Sequence, residues 1–427
     1  LKPLFEITLI EPPTALAGTR GFGQGSAIRP GTNLSYLLPL NKVLALNFAA
    51  TYSDRNDDRE FHTPTWDKVA LRQTQNQMNN LVGGGGMQML SGGVDWKVRP
   101  TDLVRLTLSR SYRPGYTRQY VFRTTAGAGA TGDANFFQGA ATGVGTAVQA
   151  PSFYNYSRDL NRVAASYRHD GARWKIDASA SFSTGAYVRN DINEGFFGGL
   201  SATLANLVVR NDGLGGVGSR QVPRVTATDR LGAPVNVFNG GLLSVASASS
   251  TQQYIESEAF NAGLNVARDF HWGVPITLKT GVLLNRQARD RTGNSSSWTF
   301  NPPGGTAGRL AANFDLLDRD NSERWYFTDV TGARVQPQWL SPARLFAIYQ
   351  ANPSWFTLNE AAEHTNRVNN TTRLTETITA GYLRADGRFL ANRLWIATGV
   401  RYERTDDEGA GPLNDIWGVY VRRPDGS

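Results

Sequence analysis

Trp174-Lys175-Ile176-Asp177-Ala178-Ser179-Ala180-Ser181-Phe182-Ser183 alternates without a break. Trp174, Ile176, Ala178, Ala180 and Phe182 fall on one side; Lys175, Asp177, Ser179, Ser181 and Ser183 fall on the other. A period of two puts successive side chains on opposite faces of a β-strand, so this stretch is a strand with one apolar and one wet face. The pattern recurs along the chain. Leu44/Leu46/Phe48/Ala50/Tyr52 and Val104/Leu106/Leu108/Tyr112 form apolar rows, followed by Phe260/Ala262/Leu264/Val266 and Ile276/Leu278/Val282/Leu284. Ile378/Ala380/Tyr382 and Leu394/Ile396/Val400/Tyr402 complete the set. Charges collect on the opposite rows, as Arg105, Lys175, Asp177, Arg401 and Glu403.

The strands come in pairs. Pro39–Lys42, Arg99–Asp102, His169–Ala172, Phe270–Gly273 and Leu390–Arg393 are joints of Pro, Gly, Asn or Asp, the residues of tight hairpin turns. Between pairs lie long connections, read as loops over about 54–89, 114–161, 185–253 and 286–371. Loops beyond ~12–15 residues usually carry function. Short turns at one end and long loops at the other, with strands of about ten residues, match a membrane-crossing barrel. Aromatics at row ends (Tyr52, Tyr112, Trp174, Phe182, Tyr402) match its interfacial girdles. The expected fold is therefore all-β, a partial antiparallel transmembrane β-barrel with short periplasmic turns and long extracellular loops. The competing reading is a soluble antiparallel sheet with one solvated face.

Composition narrows the chemistry. Among 427 residues there is no Cys, which removes disulfides, thiolate metal sites and a thiol nucleophile. Mean hydropathy is −0.37, and no apolar run approaches the ~18–20 residues of a spanning helix; a barrel hides its apolar residues in alternation. The formal charge of +8 is too small at this length to indicate a nucleic-acid partner. His62, His169, His271 and His364 are scattered without metal-ligand spacing, and no Gly-x-Ser-x-Gly elbow is present. Gly21–Gly25 and Gly83–Gly86 lack the strand-to-helix context of a phosphate loop. The acidic groups Asp54/Asn56/Asp57/Asp58/Glu60 and Asp315/Asp318/Asp320/Glu323 lack calcium-loop spacing and read as solvated charge. The chain is thus expected to be no enzyme and to need no cofactor or metal.

The runs Glu376–Tyr382 and Leu394–Arg404, with Gly399-Val400-Arg401-Tyr402-Glu403 at their centre, resemble barrel strands of the TonB-dependent outer-membrane receptors. Leu34–Tyr52 and Leu103–Tyr112 resemble early strands of the same barrel. The resemblance implies a bacterial outer-membrane location, contact with outer-membrane lipid, and uptake of a small-molecule nutrient such as a siderophore or sugar. It also implies energising by TonB through a plug domain that this chain does not contain. Both ends, Leu1-Lys2-Pro3 and Pro424-Asp425-Gly426-Ser427, read as cut, so an internal piece of a receptor is expected. A passive porin and a secreted all-β binding protein are the alternatives.

In that frame Arg105, Lys175 and Arg401 face the lumen. Ligand contact is expected from the longest loop, through Trp298, Arg324, Trp325, Tyr326, Trp339 and Trp355, whose rings and guanidinium suit stacking and cation–π contacts. The other use of these rings is a small core for the loop itself, which a short helix at Pro342–Tyr349 would support. Ala126–Ala150, rich in Gly and Ala, reads as a mobile loop.

Overall fold

The computed structural model describes residues 4–9, 31–214, 224–271, 273–318, 327–328, 331, 333–391 and 393–413. The chain is all-β, and its main sheet is an antiparallel, barrel-like meander. Its strands are β1 (Leu4–Leu9), β2 (Gly31–Pro39), β3 (Leu44–Asp67), β4 (Arg72–Arg99), β5 (Asp102–Thr125) and β6 (Ser152–Asp170). They continue as β7 (Trp174–Asn190), β8 (Ser244–His271), β9 (Pro275–Phe300), β10 (Thr372–Phe389) and β11 (Leu394–Ala410). Each pairs with the next in sequence, from β1 to β11. Among the described residues no pairing joins β11 back to β1.

All five expected joints are hairpin turns. At the first, the Asn41 side chain accepts from the backbone N–H groups of Val43 (2.8 Å) and Leu44 (2.9 Å), a local bond that favours a turn over a strand. The strands are longer than their alternation suggests, reaching 28 residues in β4. Residues 54–89, expected as a loop, are instead the outer reach of β3 and β4 around a turn at 68–71. There Asp67 Oδ1 accepts from Val69 and Ala70 N–H, both at 3.0 Å. The Gly83–Gly86 run that reads as loop sits mid-ladder, opposite Asp57–Asp54 on one side.

Register assigns the faces. Leu46, Val94, Leu106, Ala165, Ala180, Ala262 and Leu284 lie in one cross-strand row. Phe48, Gly92, Leu108, Val163, Phe182 and Phe260 make the next apolar row. Toward the loop end, the row Asp159–Ala186–Glu256–Asp290–Arg373 closes the apolar band with charge. The other face is polar: Asp95, Arg105, Ser166, Ser179 and Gly263 form one of its rows.

One expected row sits on the wrong side. Ile378, Ala380 and Tyr382 lie opposite Thr405, Glu403 and Arg401, on the polar face. The alternation of β10 is ambiguous because its other face carries Thr377, Thr379 and Gly381, small uncharged residues, while Tyr382 on the first face carries a hydroxyl of its own. Pairing decides: Tyr382 lies over Gly281, and its hydroxyl donates to Asn265 Oδ1 at 2.7 Å, two strands away.

The described parts of the long connections 126–151, 191–243 and 301–371 fold onto the loop-end extension of the apolar face. Met78, Tyr120, Phe122 and Phe153 from the sheet pack with Phe137, Leu207, Val209, Phe238, Phe327 and Trp339 from the connections. A second cluster joins Trp298 and Phe300 to Phe197, Leu243, Leu316, Leu345, Phe346 and Phe356. The expected helix is present as Pro342–Ala351, burying Leu345 and Phe346. The expected mobile stretch 126–150 is part of the first cluster. Ala126, Phe137 and Ala147 are buried, and Gly145–Gln149 extends the sheet beside β5, so apolar burial holds it. Buried polar groups fasten the connections together. The Gln149 amide donates to Gln338 O (2.9 Å) and accepts from Leu340 N–H (3.0 Å), while the Tyr120 hydroxyl donates to Asp318 (2.7 Å).

Candidate functional site

The polar face changes character toward the loop end. Near the tight turns several of its arginines are matched by carboxylates. Arg105 holds Asp95 through two hydrogen bonds (2.7 and 2.8 Å), Arg384 holds Asp386 (2.6 and 2.9 Å), and Arg401 pairs with Glu403. Arg105, Lys175 and Arg401, chosen from sequence as lumen residues, all stand on this one face. Lys175 shares a row with Ala267, Lys279 and Arg384.

Further along, Arg55, Arg113 and Arg158 line a pocket of ≈ 230 Å³ with Ser53, Gly85, Gly86, Met87, Pro114 and Tyr156. Register brings them together from four strands: Arg55 faces Gly85, Gly85 faces Gly115, and Arg113 faces Arg158. Two glycines let backbone and ring pack closely at its base. A Cβ on Gly115 would sit 2.4 Å from the Tyr156 ring, and one on Gly85 would sit 2.4 Å from Pro114 O, so neither position accepts a side chain. Tyrosines make the wall. The Arg158 guanidinium lies 5.8 Å from the Tyr156 centroid and 5.5 Å from that of Tyr187, and Arg189 stacks 3.9 Å over Tyr154. Such contacts hold a guanidinium in place at ~0.5–1 kcal/mol each when exposed. Burial pushes the Tyr187 hydroxyl above its ordinary pKa, so it stays a neutral hydrogen-bonding group.

Across the sheet from this notch, Arg118 has a different role. Its guanidinium is caged by Phe196 (4.7 Å), Phe153 (5.2 Å) and Tyr116 (5.5 Å). It donates to Thr117 O and Tyr154 O at 3.0 Å and to Asn155 Oδ1 at 2.8 Å. Burial lowers its pKa. With three donated hydrogen bonds and aromatic rings around it, the guanidinium pins the 191–198 turn to β5 and β6. In that turn Asp191, fully buried, accepts from Ser250 Oγ (2.5 Å) and Thr251 N–H (2.7 Å).

Of the aromatic residues expected to meet ligand, Trp298, Trp339 and Trp355 pack against other rings. Trp298 is 8% exposed, with Phe197 at 5.2 Å and Tyr349 at 6.2 Å; Trp339 is 7% exposed and 5.3 Å from Tyr120. Trp355 is partly buried beside Phe314, at 6.1 Å. Arg324, Trp325 and Tyr326 lie outside the described residues. The loop's own core, weighed as the other use of these rings, is the arrangement found for the described ones. The Arg55/Arg113/Arg158 pocket was missed because Arg55 and Arg158 fall in stretches read as loop. Extending the Val104–Arg113 parity across a register would have found it.

Asp315 and Asp318, from the acidic pair of clusters, are spent on Arg344 and Tyr120. Among the described residues no helix is long and apolar enough to cross a membrane. No family model and no curated protein matches the chain. Among solved structures it is similar to the siderophore receptor PiuA from Acinetobacter baumannii, at 8% identity over 96% of this chain and 71% of that one, with a TM-score of 0.22. An overlap of that quality identifies no relative, so function has to be read from the geometry of this chain.

Proposed function

We propose that the chain is part of an outer-membrane receptor barrel for uptake of a small nutrient, with its apolar face against lipid and its polar face lining the passage. One observation carries the reading: the apolar band is continuous across the strands and uncovered. Leu108 is 55% exposed, Phe182 42% and Val282 61%, and they belong to rows that run from strand to strand. Soluble proteins rarely show a contiguous apolar patch above a few hundred Å². From Trp174 to Phe182 the band runs about 27 Å along the strand, close to the ~25 Å lipid-facing belt of outer-membrane barrels once strand tilt is allowed. The charged row of Asp159, Glu256, Asp290 and Arg373 falls where lipid headgroups and water begin.

On this reading the tight turns are periplasmic and the folded connections extracellular. Gated uptake would draw on TonB acting through a plug domain. The test is gel mobility of the full chain in detergent. A barrel runs faster unboiled than boiled and needs detergent to stay dispersed. Identical migration, with solubility in plain buffer, overturns the reading.

A further inference from the structure

We infer that the Arg55–Arg113–Arg158 pocket is an anion site, and that the solute it takes carries carboxylate or phosphate groups; this rests on the polar face being a solute passage. The first support is a contrast in pairing. Arg105, Arg110, Arg373, Arg384 and Arg404 each hold a carboxylate, at 2.6–2.9 Å. Among the described residues, Arg55, Arg113 and Arg158 have none within ion-pair distance. Arg162, Arg286 and Arg289 are likewise exposed without a carboxylate among the described residues, but only in this pocket do three such arginines, from β3, β5 and β6, share one lining.

The second support is placement. Arg113 and Arg158 are direct cross-strand partners, and like charges in that position destabilise a sheet. An anion between them turns the repulsion into two attractions. Guanidinium groups bind carboxylate and phosphate oxygens through paired N–H donors, and that of Arg158 is held against the Tyr156 and Tyr187 rings before any ligand arrives. Beside the pocket, Arg189 Nε is buried with no hydrogen-bond partner, a donor still open to an acceptor. The volume of ≈ 230 Å³ suits an anionic head group, with the rest of the solute against Tyr154 and Tyr187.

The test is calorimetric titration of the full chain in detergent micelles with inorganic pyrophosphate and with citrate, using choline as the cationic control. Binding of either anion, weakening as sodium chloride is raised, with no heat from choline, is expected; the stronger of the two separates phosphate from carboxylate solutes. Arg113→Gln with Arg158→Gln should weaken that binding at least about tenfold. Arg373→Gln, on the other face, should leave it unchanged. The single change Arg158→Gln should also raise the anion-free melting temperature while abolishing the anion-dependent increase, a pair of effects that a merely structural arginine does not give. No binding of either anion to the unaltered chain, or equal binding by the double variant, overturns the inference. If the unaltered chain keeps its heat-modifiable migration while failing to bind, only the anion site falls. If that migration is absent, the barrel reading fails separately.

Discussion

Leu108 and Phe122 lie on the same face of the same strand, yet one is 55% exposed and the other 1%. The difference is what covers them. Near the tight turns, β5 meets nothing on its apolar face; near the loop end, the same face is roofed by Phe238 and Phe327, whose rings lie 5.6 and 5.2 Å from Phe122. One half of the sheet brings its own core and the other half relies on its surroundings to act as one. On the barrel reading proposed above, the first half faces water and the second faces lipid, with the boundary at a row of charge.

That division can be broken at its strongest point first. Phe122→Ala should destabilise the loop-end core by about 3–5 kcal/mol, since it removes a buried ring from a site that cannot fully collapse; chemical denaturation in detergent reads it. Leu108→Arg should cost about 2–4 kcal/mol in folding into a bilayer, whereas Ser109→Arg, one residue on and facing the other way, should cost almost nothing. Equal effects at positions 108 and 109 would remove the distinction between faces. Gln149→Leu strands Gln338 O and Leu340 N–H without their partner, a loss of about 1–3 kcal/mol confined to the loop end. It should lower protection of the 336–341 backbone in hydrogen exchange and leave the β7–β8 ladder untouched.

The smallest effect is a pH dependence. Hydrogen bonds from Asn294 (2.7 Å) and Ser296 (3.0 Å) hold the Glu363 carboxyl below its ordinary pKa and dock the helix Glu360–Asn369 on β9. A depressed carboxylate stabilises above its unfolded pKa, and the contribution is lost as pH falls through the folded value. Exchange protection in that helix should therefore drop on acidification below about pH 4.5, and Glu363→Gln should flatten the dependence.

The same division explains what could be read in advance. Strands and turns near Trp174–Phe182 were legible because one face must be apolar and the other polar, which writes a period of two into the sequence. Beyond the charged row that requirement ends. Gly83–Gly86 and Pro114-Gly115 carry no alternation, and only the ladder shows them to be strand. Trp298 and Trp339 look like ligand-binding rings in sequence, because composition cannot tell a ring facing solvent from one facing Phe197 or Tyr120. Tyr382 was placed on the wrong side for a similar reason: its own strand offered two faces of nearly equal polarity, and the deciding partner, Asn265, is 117 positions away.

The amide clamp at Gln149 also has a consequence in time. It joins residues 189 and 191 positions apart, and the Tyr120–Asp318 bond spans 198. Hairpins such as β6–β7 close over a few residues. Contacts so distant in sequence carry a loop-closure cost that local pairing does not. The roof over Phe122 should therefore be the last part of the molecule to assemble and the first to open. The guanidinium pocket beneath it belongs to strands already zipped together, complete before the roof is on.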